Sequence, residues 1–390
     1  MVSTLRKLVV SGLLLGQVAA AQHDHVEGAR IAVSDGSTNV IRILAADSGA
    51  ELGSFTVPGE TGGSIAVSSS GGHVIATHRE ANRISIIHSG LLYEDHGDHG
   101  HLIQSTPYVV STVNIGVQPS HVTVAGNEIL VFNDGDGSIA ILDENLFGLS
   151  LNYGFVDVAQ PDHGAAQLLG DHLLAGLMNL ARVDIHAPDG SLVTSIGECP
   201  GLHGSIATYD SALFGCSDGV LRIEFSDGDF SGSHMANPAG SPEGSRIGSF
   251  YGHVGDIAVG NFGSGLALID TVTGDFNVLE LPDPPLAAAV SSESVVALTA
   301  DGSVHLLQVA EGEAGIIYTH EALINPDTTY GRPAIAVYGD RAWVSEPAAG
   351  NIVVLEIHGT ELHVLDTFAV GGNPAGIGVL MLEGEFGHDH

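Results

Sequence analysis

The chain has 390 residues, 44% of them hydrophobic, with 11 basic against 46 acidic side chains and a formal charge of −35 at pH 7. That balance excludes nucleic-acid binding and attraction to an anionic membrane surface, because both need basic contacts. An acidic surface keeps a protein soluble and concentrates cations around it.

Residues 1–21 read as a secretory signal peptide. Arg6 and Lys7 give a basic start, Leu8 to Leu15 an apolar run, and Ala19-Ala20-Ala21 a small-residue cleavage site. The run is too short to span a bilayer and no later stretch is longer, so no membrane insertion is expected. Export makes the protein secreted, and periplasmic if the host is bacterial. Lys7 is the single lysine; beyond residue 21 nine arginines face the 46 acids. Residues 22–28 then read as a flexible arm carrying His23, Asp24 and His25.

From Ala29 onward the apolar runs are short, rich in Val, Ile, Leu and Ala, and broken by Gly, Asp, Asn and Ser. No 3.6-residue periodicity is sustained, so the chain reads as all-β. Ala29 to Val57 supplies three strands. Units of four strands start near Gly63, Pro119, His163, His203, Gly244, Leu286 and Gly331, and Asn373 to Val379 supplies one more strand. Four strands in a unit of 40–47 residues is the size of a propeller blade. The expected fold is a β-propeller over residues 29–380 with eight four-stranded blades. The C-terminal strand closes the ring against the N-terminal blade. Seven blades is the runner-up, should the weak unit at 244–285 not form one. Residues 381–390 read as a flexible acidic and histidine-bearing tail.

The second unit, 56 residues long, carries an insertion, Glu94-Asp95-His96-Gly97-Asp98-His99-Gly100-His101. Its glycines predict a flexible loop. His96, Asp98, His99 and His101 make it a weak, adaptable metal binder.

Three units open on a histidine: Pro119-Ser120-His121, Pro161-Asp162-His163 and Pro200-Gly201-Leu202-His203. First strands line the channel of a propeller, so these imidazoles point to one hub. Alignment leaves His121 two residues out of step, which preserves side-chain direction in a strand. Three imidazoles and a fourth ligand make a tetrahedral zinc site. Asp162, His78 and His253 are the candidates to complete or support it. The alternative is three polar plugs in a wet channel.

Cys199 and Cys216 are the two cysteines. In an oxidising compartment the pair predicts a disulfide, against the alternative of two buried thiols. The carboxyl terminus repeats the His-Asp-His pattern of the arm in His388, Asp389 and His390.

The signal peptide, the His-Asp-His start, the Glu94 to His101 segment and the propeller repeat together resemble the periplasmic zinc chaperones of the AztD type. The resemblance covers essentially the whole chain after the signal. It implies a protein, not an enzyme, that holds zinc and delivers it to the solute-binding protein of a zinc ABC importer. A monomer is expected. Imidazole and carboxylate donors also suit copper and nickel, so zinc rests on the resemblance and the tetrahedral donor set.

Two other readings stay open on the sequence. Propellers host lactonases and other metalloenzymes, and a hub metal with an open position would activate water. No G-x-S-x-G, CxxCH or GxGxxG motif supports a specific enzyme class. A docking propeller without metal is the other, and it leaves the histidine clusters without a purpose.

Overall fold

The computed structural model describes residues 28–59, 64–97, 100–291, 294–310 and 313–382. Eight four-stranded antiparallel sheets form a propeller, with a separate two-stranded hairpin. Among the described residues no helix is long and apolar enough to cross a membrane.

The burial pattern follows from the architecture. Each second strand is sandwiched between neighbouring blades, so its two faces are both apolar. His172–Leu177 and Ser211–Cys216 are buried almost throughout. The outermost strands, such as Glu51–Thr56 and Leu192–Gly197, have no fully buried residue. Alternation therefore fades toward the middle of each blade, as two-sided burial requires. The core is a series of apolar seams between blades, such as Leu130, Phe132, Ala166 and Leu173 between the third and fourth.

The weak unit forms a complete blade, Phe250–Val254, Ile257–Phe262, Gly265–Asp270 and Phe276–Glu280. The ring therefore has eight blades. It closes as expected: Pro374–Leu380 pairs with Arg30–Asp35, Arg30 opposite Leu380 and Val33 opposite Ile377. Trp343 of the eighth blade is fully buried against the first, its Nε1 donating to Ala46 O at 3.1 Å. Closure pairs what would otherwise be the free edge of Arg30–Asp35 and completes the first blade.

The insertion differs from its expected flexible loop. Leu91–Asp95 and Gly100–Gln104 pair as a hairpin. Leu102 packs against the seam of the first and eighth blades, and the Tyr93 ring lies where a Cβ on Gly100 would sit. Buried Arg30 donates from the first blade to Ser89 O and Ser105 O, pinning both ends of the hairpin. Apolar anchoring and this clamp override the glycine content that suggested a loop.

Candidate metal centre

His121, His163 and His203 converge at the mouth of the channel. His163 Nε2 lies 3.1 Å from His121 Nε2 and 3.1 Å from His203 Nε2. The three side chains are half-buried and line a cleft of about 190 Å³ with Thr123, Ser205 and Ser249.

Local backbone irregularities make this convergence. In the third blade Pro119 faces Asn133 and His121 faces Phe132, so Ser120 is an extra residue. In the fifth, His203 faces Gly215 and Ser205 faces Phe214, so Gly204 is extra. His163 precedes an unbulged strand, Gly164–Leu169. The bulges leave His121 and His203 level, each opposite the fifth residue of its second strand, while His163 lies two steps further along, opposite Met178; bulges re-aim side chains near sites in this way. Gly204 has φ +65°, and a Cβ there would come within 3.0 Å of the Gly248 backbone. Only glycine fits that bulge without displacing Gly248.

Gly248 matters because its carbonyl accepts from His203 Nδ1 at 2.7 Å. His163 Nδ1 donates to Asp134 Oδ2 at 2.8 Å. With both Nδ1 atoms acting as donors, the Nε2 atoms of His163 and His203 both carry lone pairs. Two such lone pairs facing at 3.1 Å are bridged by a cation, either a proton or a metal ion. Tetrahedral zinc with Zn–N of about 2.0–2.1 Å sets its ligand nitrogens about 3.3 Å apart, close to this spacing.

Asp134 is the hinge of the surrounding network. Its Oδ1 accepts from Ser120 Oγ at 2.5 Å and its Oδ2 from Arg79 Nη1 at 2.7 Å. Burial works against its ionisation, but the hydrogen bonds from His163, Ser120 and Arg79 prevail and hold its carboxyl below the usual range. Burial, then the charges that His163 and His203 would carry, push His121 down to about 4. Burial likewise lowers His203. Lowered imidazoles are neutral at pH 7, the form that binds metal.

Asp134 and Gly248 were not singled out in the sequence. Asp134 lies in Asn133-Asp134-Gly135, which reads as an ordinary turn. Its position just after a second strand, level with His163, was the available signal. A backbone carbonyl leaves none.

The other candidate ligands lie elsewhere. His78 is fully buried within its own blade, its Nε2 2.8 Å from Ser85 Oγ. Asp162 Oδ2 accepts from Asn179 N at 2.9 Å, capping a turn of the fourth blade. His253 is exposed on the first strand of the sixth blade. Among the described residues the cluster of ligand atoms within 4.8 Å at the hub comprises His121, His163 and His203, without these three.

In the hairpin, His96 and His101 do meet, with ring centroids 5.0 Å apart, and His96 Nε2 is 3.7 Å from Glu94 Oε2. His23, Asp24, His25, Asp98, His99, His388, Asp389 and His390 lie outside the described residues. The hairpin joins the third and fourth strands of its blade, at the end opposite the triad. Arg79, in the turn before the third strand, contacts the triad network; His88, six residues along that strand's length, does not. Gly28 also sits at the far end, against Leu102 and Gln104 of the hairpin.

A second group of histidines lies on that far side. His88 stacks on Tyr108 and meets His73 edge-on, while His73 Nδ1 donates to Glu144 Oε1 at 2.8 Å. Burial, then His73, lowers His88 to about 4. A folded-state value below the unfolded one means that the unfolded chain binds more protons between about 6.5 and 4. His88 and His121 thus contribute stability that is present above pH 6.5 and lost as the pH falls toward 4. Melting temperatures of the metal-free protein should decline from pH 7 to pH 4.5. A flat profile across that window would show that neither imidazole is held neutral.

No family model matches the chain. The zinc chaperone AztD of Citrobacter koseri is 27% identical over an alignment of 403 residues, covering 98% of this chain and 94% of that protein. The chain resembles AztD along nearly its whole length. A crystal structure of Citrobacter koseri AztD superposes with a TM-score of 0.81 at 25% identity, over 93% of this chain and 99% of that one. The apo AztD structure gives the same TM-score at 24% identity. The dihydro-heme d1 dehydrogenase NirN, at 15% identity and a TM-score of 0.64 over 89% of this chain and 74% of that one, shares the fold alone. AztD is thus matched in both sequence and architecture, and the enzyme neighbour in architecture only.

Proposed function

We propose that this protein is an exported zinc metallochaperone. It holds zinc at His121, His163 and His203 and passes it to an acceptor, the zinc solute-binding protein of an ABC importer. The observation that carries this reading is the approach of the His163 and His203 Nε2 lone pairs to 3.1 Å. The likeness to the zinc chaperone AztD supports zinc over copper or nickel, and storage over turnover.

In this reading residues 1–21 direct export, 22–28 form the arm, 29–380 the body and 381–390 the tail. The triad is the resting site, with water or an acceptor ligand in the fourth position. His96 and His101 make a weaker exchange site in the hairpin, and Asp98, His99, His23, Asp24, His25, His388, Asp389 and His390 act as further weak donors during transfer. His78 and Asp162 shape the blades around the triad and are not ligands.

The test is zinc content of residues 22–390 after dialysis against a mild chelator, beside His121→Ala/His163→Ala/His203→Ala. One retained zinc per chain, lost in the variant, is expected. Equal retention would move the tight site away from the triad. A protein lacking residues 22–25 should keep that zinc while handing it on more slowly to a zinc-free acceptor. Equal transfer rates would remove the arm from the mechanism.

A further inference from the structure

The described residues bring a second set of metal-ligating atoms together, in the fifth blade. Cys216 Sγ, an oxygen of Asp218 and a nitrogen of His234 lie within 4.8 Å of one another. His234 Nε2 is 3.1 Å from Asp218 Oδ1. Cys216 is bonded to Cys199, their Cα atoms 4.9 Å apart. The sulfurs are buried, whereas Asp218 and His234 reach the surface above them. Gly219 leaves the room for this, since a Cβ there would meet His234 Cε1 at 2.7 Å and Met235 O at 2.0 Å.

We propose that Cys199, Cys216, Asp218 and His234 form a closed zinc site when the cysteines are reduced, so that the same two sulfurs hold either each other or a metal. Two thiolates, one imidazole and one carboxylate complete the four-coordinate shell of a structural zinc. Disulfide sulfur is a poor donor, so the oxidised form has no such site. The reduced form exists before the disulfide is made, and again wherever a dithiol reductant acts. In that exchange the dithiol becomes a disulfide, and Cys199 and Cys216 each gain a proton. Zinc then binds the two thiolates and releases both protons. Oxidation reverses the sequence: an oxidising disulfide takes the two electrons, the sulfurs rejoin and the zinc departs.

The site is distinct from the triad in donor chemistry, which gives it its own readout. Cobalt(II) alone is titrated into the His121→Ala/His163→Ala/His203→Ala protein, oxidised or reduced with a trialkylphosphine. The reduced protein should take one equivalent with a sulfur-to-cobalt charge-transfer band, displaced by zinc, and the oxidised protein should show no such band. His234→Ala and Asp218→Asn should each weaken binding about tenfold or more, the scale on which lost metal-site partners act. Absence of the band in the reduced protein overturns the proposal. So does a band that neither variant weakens, because the thiols would then act without His234 and Asp218. If reduction destabilises the fold, zinc should raise the melting temperature of the reduced wild-type chain more than that of reduced His234→Ala. Equal shifts overturn the site as well. A failure of the triad as a zinc site would leave the sulfur band unaffected.

Discussion

Asp134→Ala should weaken zinc binding about 10- to 100-fold, or about 1.4–2.7 kcal/mol, without removing a single ligand. Asp134 accepts the Nδ1 proton of His163, and that bond fixes which nitrogen of the ring faces the hub. Without it, His163 is free to carry its proton on Nε2, where it blocks the metal. Asp134 also ties Ser120, the bulge residue that re-aims His121, and Arg79 from the neighbouring blade. One substitution therefore loosens two of the three ligands. Asp134→Asn keeps an acceptor oxygen for His163 and should fall between the wild type and Asp134→Ala. Competition with a chelator of known affinity measures the series. If Asp134→Ala binds as tightly as wild type, His163 is oriented by packing alone, and the carboxylate is a structural ion-pair partner of Arg79.

How much of this was legible in the sequence follows from what each feature depends on. The blades were legible because each repeats the same strand and turn chemistry, and the eighth follows from the lone strand at Pro374–Leu380. The convergence of His121, His163 and His203 was legible because first strands of successive blades share an axis. The bulges at Ser120 and Gly204 were not: alignment put His121 out of step with the other two, whereas they leave it level with His203. The supporting shell was not legible. Asp134 reaches His163 from another blade, 29 residues away, and Gly248 reaches His203 across 45. Asp162 was misleading for the complementary reason. It stands next to His163 in sequence, but adjacent residues point to opposite sides, and its carboxylate caps the turn at Asn179. His78 sits at the end of a second strand, which faces neighbouring blades rather than the channel. The hairpin reads as a loop from its glycines; Arg30, from a different blade, is what pins it.

Replacing both cysteines by alanine should lower the stability of the metal-free protein by about 3 kcal/mol, the cost of opening a loop of this size in the chain-entropy account. Cys199 and Cys216 are 17 residues apart and fully buried in the seam that holds Leu174, Phe214 and Leu221. The bridge also ties the approach to His203, four residues after Cys199, to the end of the second strand. Zinc bound at the triad would cross-link the same segment to the third and fourth blades. Ligand bound to the folded state alone adds about 2.7 kcal/mol at one hundred times Kd. The two constraints are therefore of similar size. The double variant should melt well below wild type without metal, and recover most of that difference with zinc in excess. In the triad triple variant the recovery should vanish. Recovery that persists there would place the stabilising metal outside the hub and overturn the triad as the proposed resting site.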